Sequence, residues 1–462
     1  MKMIIDIPKF CILEHKYIIN TIFKYFFGIE FEINIHEKEY VQIRKERELN
    51  MLTINSQFFI TADKSWLKLE SLPTLPMNIW DPKDDDIIVD LVNSAIPIIY
   101  GNKGIKKNEK QWHLNLDIFG SIFFMLSRYE EAVLSDRDQH DRFPAIASVS
   151  YKEGFLNRPI VDEYVELLWT IMKMLWPDLE RKKRSFKMIL THDVDAPFQY
   201  ANVSSFQIAK SIGGDIIKRR SIKLAQKRYY QWRSVRKGNY EKDPYYTFNF
   251  IMQESEKRGL KSAFYFIADH TAGTIDGIYT LNDPEIISLM KTIDARGHEI
   301  GLHLSYNTYL DKEQSKKEAQ ILYKAMQKNG IKQKLRGGRQ HYLRWKTPET
   351  FQNWEYAGME YDATLSYADM PGYRCGTCWE FPVYDLINRK PLNLIERPLI
   401  AMEYSVTGEE YMNKGYGEEA FQVLKSLKDA CRKYNGDFVL LWHNSELVTE
   451  EQKRLYLSVL DA

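Results

Sequence analysis

Four cysteines in 462 residues are too few for a disulfide framework, which excludes a small cross-linked scaffold and fits a reducing compartment. Cys375 and Cys378 make a single CxxC, but no second pair or suitably spaced histidines accompany it, so the two read as loop thiols rather than a structural zinc site. Also missing is any uncharged apolar run long enough to cross a bilayer. Residues 1–26 lack the basic head and continuous apolar segment of a signal peptide, because His15, Lys16 and Lys24 interrupt them; a cytoplasmic protein is expected. Net charge is nearly absent too. The 64 Lys and Arg against 63 Asp and Glu leave bulk charge silent about partners, and no nucleic acid is expected.

What the sequence has in quantity is aromatic side chains, 29 Tyr and 10 Trp. Most belong in a core, and a few exposed rings can stack on sugar faces. The length calls for two domains. Residues 1–185 read as a smaller mixed α/β domain, with strands at 31–35, 40–43 and 51–60 and helices at 117–134 and 161–175. The dense charges from Arg128 to Arg142 in that domain read as an interface or a glycan site. Residues 186–462 alternate strands at 187–191, 262–268, 299–304, 334–337, 361–365, 392–400 and 438–442 with helices at 247–257, 284–295, 312–328, 348–356, 418–433 and 450–460. Repeated βα units of this kind imply a parallel sheet, closed as a distorted (β/α)7-type barrel or open and doubly wound. A basic insertion near 205–242 interrupts the pattern. Its stretch 218–237 interleaves Lys and Arg with Tyr229, Tyr230 and Trp232 and holds no acidic residue. It reads as a solvated helix, or as a basic helix that meets an anionic membrane or the phosphates of a lipid-linked precursor.

Chemistry concentrates at the ends of three predicted strands. In Thr191-His192-Asp193-Val194-Asp195 the two carboxylates are two apart, hence on one face of a strand, at the end where parallel barrels keep their active sites. Two such carboxylates repel unless a cation or proton lies between them. His303, in Gly297-His298-Glu299-Ile300-Gly301-Leu302-His303, ends a second strand, while His298 begins it and reads as structural. His443 follows the strand ending in Leu441-Trp442.

Taken together these stretches resemble the NodB-homology domain of polysaccharide deacetylases, carbohydrate esterase family 4, in the branch whose first motif is DxD. The resemblance covers 186–460. It implies a barrel that hydrolyses an N-acetyl group of an amino sugar, in a surface polysaccharide or its precursor, with a divalent metal ion: zinc, or Mn, Co, Ni or Mg. By that resemblance Asp193 is the general base, Asp195 and His303 are metal ligands, and His443 is the general acid. Arg336 orients the base, and Asp362 contacts the same machinery. The family's second metal histidine falls at Asn307, whose amide oxygen is the expected third ligand if a helical turn carries it back to the ion. Arg339, His341 and Trp442 are expected to meet substrate, and for His341 the sequence leaves open equally a hydrogen bond to substrate and the place of a missing metal ligand. Two other readings stay open: a glycan-binding barrel with a degenerate metal site, and a hydrolase of another C–N bond.

Overall fold

The structure is a computed structural model describing residues 2–462. It is a mixed α/β protein with strands β1 (Met3–Pro8), β2 (Phe31–His36), β3 (Tyr40–Lys45), β4 (Met51–Asn55), β5 (Ile79–Trp80), β6 (Ile96–Pro97), β7 (Gly101–Asn108), β8 (Gln111–Leu116), β9 (Lys187–Val194), β10 (Ser262–Ile267), β11 (Glu299–Leu304), β12 (Gly337–Gln340), β13 (Tyr361–Asp362), β14 (Phe381–Asp385), β15 (Lys390–Glu396), β16 (Ala401–Met402) and β17 (Asp437–Leu441). The chain forms two compact units from interleaved segments. The first takes Met1–Lys187, Leu343–Ala401 and Ser426–Val439; the second takes Met188–Tyr342, Met402–Lys425 and Leu440–Ala462.

In the first unit a mixed sheet runs β2-β1-β3-β4-β8-β7. Alternation in β3 and β4 buries Val41, Ile43, Leu52 and Ile54 on one face, as a period of two requires. The expected strand 51–60 stops at Asn55, and Gln57–Lys64 is a helix whose Phe58 N–H donates to the Asp117 carboxylate at 2.8 Å. The expected helix 117–134 is two helices, Ile118–Leu126 and Tyr129–Val133, parted at Arg128 with φ 53°. That kink sets Arg128, Glu130 and Glu131 inward. Arg128 bonds Glu130 and Glu131 at 2.9 Å each, and Arg374 reaches the second oxygen of Glu131 at 2.5 Å, all of them buried. These charges satisfy one another inside the unit. Cys375 and Cys378 lie in a loop between β13 and β14, as expected, and like Cys11 and Cys431 they are unpaired and buried. Cys378 donates its N–H (2.9 Å) and its thiol (3.0 Å) to Asp162.

In the second unit β9, β10, β11 and β12 are parallel neighbours, with β17 beside β9. β10 is buried at every residue, the mark of a parallel strand covered on both faces. Helices Phe248–Lys257, Pro284–Ala295 and Lys312–Lys328 alternate with these strands. The register sets Asp193 opposite Tyr265 and His303 opposite Arg339, so the chemistry-bearing side chains gather at the C-terminal strand ends. Residues 205–235 form a hairpin of two helices, Ser205–Ile217 and Ile222–Val235. Among the described residues no helix is long and apolar enough to cross a membrane.

Candidate active site and metal centre

Each histidine of the site is held by one ring nitrogen and presents the other. His303 bonds the Arg339 carbonyl through Nδ1 at 2.9 Å. His341 bonds the Asp276 carboxylate through Nδ1 at 2.9 Å. Both acceptors call for a proton on Nδ1 and thereby leave Nε2 with its lone pair exposed, the tautomer a metal ligand needs. The two Nε2 atoms converge on Asp195, whose Oδ1 lies 3.2 Å from His303 and 3.7 Å from His341. Donors on a tetrahedral ion with bonds of about 2.1 Å stand roughly 3.4 Å apart. The ligand atoms of Asp195, His303 and His341 all lie within 4.8 Å of one another. Asp195 Oδ1 and His303 Nε2 are buried and neither makes a well-formed hydrogen bond, which is costly for such atoms unless something else binds them. A divalent cation fits this donor set.

Around that group stand two further pairs. Arg339, fully buried on β12, donates to Asp193 Oδ1 at 2.8 Å and to Thr191 Oγ1 at 3.0 Å. It fixes one carboxylate oxygen of Asp193 and leaves the other, 3.6 Å from His303 Nε2, turned to the site. On the far side Glu403 accepts both the backbone N–H and Nδ1 of His443, at 2.8 and 2.6 Å, and His443 Nε2 lies 3.6 Å from Asp195 Oδ2. Burial presses the His443 pKa down, but the charge and hydrogen bond of Glu403, with Asp195 and Asp193 beyond, outweigh it and raise it to about 10. Burial alone would raise Asp195; the facing histidines hold it well below the ordinary carboxylate range instead. His303 is likewise raised against its burial by Asp193 and Asp195. His192, inside the same motif, is different: burial lowers it to about 3, and it bonds Trp442 O and Ser262 as a neutral structural ring.

Several sequence-based placements change. The side-chain nitrogen of Asn307 is engaged outside the Asp195, His303 and His341 group. β11 runs extended through His303, and Asn307 follows in the turn that leads into the short helix Thr308–Leu310. Its amide donates to the Thr271 carbonyl at 3.0 Å. His341 supplies the third donor. Arg336 precedes β12 and is exposed, and the contact expected of it is made by Arg339, which as a fully buried side chain cannot also meet substrate. Trp442 is buried too, donating to Glu446 O at 3.0 Å against Tyr456, and offers no face to a sugar. Asp362 belongs to the first unit, where it accepts from the backbone and hydroxyl of Thr364. Asp276 and Glu403 were not singled out in the sequence. Asp276 sits in a turn ending at Gly277, where a Cβ would lie 2.6 Å from the Asp195 carbonyl, so only glycine permits that approach.

Comparison with known proteins is sparse. Residues 3–177 match a family described as a family of unknown function (DUF7033). No curated protein matches the chain. Among solved structures it is similar to a "putative polysaccharide deacetylase" from Mycobacterium smegmatis, 16% identical over 62% of this chain and 85% of that one, with a TM-score of 0.37. It is similar also to a Puue allantoinase (12%, 62% and 85%, 0.35). A third is a "probable polysaccharide deacetylase" from Pseudomonas aeruginosa PAO1 (14%, 60% and 84%, 0.33).

Proposed function

We propose that the second unit is a metal-dependent hydrolase that removes an N-acetyl group from an amino sugar of a cell-surface polysaccharide or its precursor, on a barrel of the NodB type. The observation that carries this reading is the presence, around one donor set of Asp195, His303 and His341, of a fixed carboxylate on one side (Asp193 with Arg339) and an imidazole paired with a carboxylate on the other (His443 with Glu403). A binding module has no use for that pairing of a base with an acid. A divalent cation held by Asp195, His303 and His341 would polarise the acetyl carbonyl and acidify the attacking water. Asp193, with Oδ1 occupied by Arg339, takes the water proton on Oδ2 as the oxygen adds to the carbonyl carbon. His443 then gives its Nε2 proton to the departing nitrogen as the C–N bond breaks, and acetate and a free amine leave. Tyr342, with φ 60° and its ring 4.8 Å from His341 and 5.3 Å from Tyr306, is 40% exposed and supplies an aromatic wall for the sugar. Such strain at a non-glycine residue is characteristic of functional sites.

The test is metal analysis of the purified chain together with acetate release from a panel of N-acetylated amino sugars. Asp193→Asn is expected to abolish release while keeping the ion, and Asp195→Asn to lose both. Equal loss of metal in the two variants, or no release from any sugar by the metal-loaded protein, would overturn the reading.

A further inference from the structure

We propose that the helical hairpin at 205–235 is a docking element for an anionic lipid bilayer. Its stem is built to be rigid. Asp243 accepts the N–H groups of Gln199, Tyr200 and Tyr245 at 2.7, 2.8 and 2.9 Å and so ties the two ends of the insertion together. Tyr200, Ile208 and Val235 form a small core with Trp232 packed on it, and buried Asp215 draws in Arg219 at 2.7 Å and Arg228 at 2.5 Å. Ser204 and Ser221 cap the two helices.

The tip is built the opposite way. Ile217 and Ile222 flank the turn at 78% and 66% exposure. Residues 216–237 carry nine Lys or Arg and no Asp or Glu, and only Arg219 and Arg228 of the nine are paired with Asp215, in a chain whose net charge is only +1. A solvated helix face accounts for the basic residues but not for large apolar side chains held bare among them. A nucleic-acid backbone would neutralise the charges and leave the isoleucines in water. A bilayer surface satisfies both, since phosphate headgroups take the cations while the acyl boundary takes Ile217 and Ile222. Because the insertion follows β9, a docked hairpin holds the strand end bearing Asp193 and Asp195 close to the membrane surface, where a lipid-linked glycan would be presented.

Full-length protein is incubated with vesicles of phosphatidylcholine alone or of phosphatidylcholine and phosphatidylglycerol in equal parts, and bound protein is measured by flotation. Binding is expected only to the anionic vesicles, and to weaken about ten-fold when ionic strength rises from about 0.1 M to about 0.5 M. Combined Lys218→Glu, Arg220→Glu and Lys223→Glu should reduce it by a further ten-fold or more, at roughly one surface-charge contribution per residue. Ile217→Ser with Ile222→Ser should reduce it several-fold while leaving the salt dependence in place. These side chains are exposed, so circular dichroism and thermal midpoints should match the parent. Asp195→Asn should bind vesicles normally, which separates this test from that of the hydrolase. Equal binding to neutral vesicles, no binding to anionic ones at low salt, or parental binding by the charge-reversed variant would overturn the proposal.

Discussion

An alanine at position 341 removes one nitrogen from the donor set and strands Asp276 without its ring. His341→Ala should therefore weaken metal binding by about 100-fold or more, as loss of a ligand together with its buried support does. Asn307→Ala should alter it by no more than about three-fold, since an exposed amide bonded to Thr271 forfeits about one ordinary hydrogen bond. Competition with a chromogenic chelator separates the two, and an equal effect would return Asn307 to the ion. The acid is probed through its partner. Glu403→Gln should lower N-acetyl turnover by about 100-fold, the usual worth of a positioned proton donor. It should spare an activated aryl ester, whose leaving group departs without a proton. Matching losses on both substrates would mean that Glu403 supports only the fold.

At the scale of the element, β12 decides which arginine serves the base. Its first two residues are glycines, and a Cβ at Gly338 would stand 1.7 Å from the Leu302 carbonyl on β11, so the strands close only because that atom is missing. Gly338→Ala should destabilise the protein by about 3 kcal/mol or more, beyond the ordinary cost of overpacking. Gly213→Ala, in a helix interior with open space around it, should stabilise it by about 1 kcal/mol. Denaturant midpoints of the pair check both signs. Gly338 also explains what the sequence hides. Strands such as Glu299–Leu304 and helices such as Pro284–Ala295 and Lys312–Lys328 announce themselves by apolar periodicity and lie where periodicity puts them. Two glycines carry no strand propensity, so the expected strand fell at 334–337 rather than Gly337–Gln340, and the contact with Asp193 that the family resemblance gave to Arg336 is made by Arg339, which was expected to meet substrate. Asp193, Asp195, His303 and His443 stand out in the sequence because each lies at the end of an apolar strand or just beyond it. Asp276 and Glu403 do not, because each acts through a histidine distant in sequence and sits in no periodic segment.

For the whole molecule, stability depends on contacts that close late along the chain. Asp162, in the helix Ile160–Leu175, accepts from Thr377 and Cys378, and burial raises its pKa to about 7. It keeps its proton longer folded than unfolded. Its contribution is thus complete below about pH 4 and is lost as pH rises toward 7, at about 1.4 kcal/mol per pH unit. The stability difference between the parent and Asp162→Asn should shrink with that slope across the interval, read from denaturation midpoints at several pH values; a difference that grows would refute the assignment. The same geometry recurs at Glu14, bonded by Tyr384 and Arg389, and at Glu131, bonded by Arg374. A ribosome that has just finished residue 187 has made Glu14, Glu131 and Asp162 but none of these partners. At about 5–20 residues per second it needs roughly 10–40 s more to reach Arg389. Through that interval the nascent N-terminal half carries carboxylates it cannot bury, so its folding waits on the rest of the chain, and a fragment ending near residue 185 should emerge from cells as a chaperone client rather than a domain.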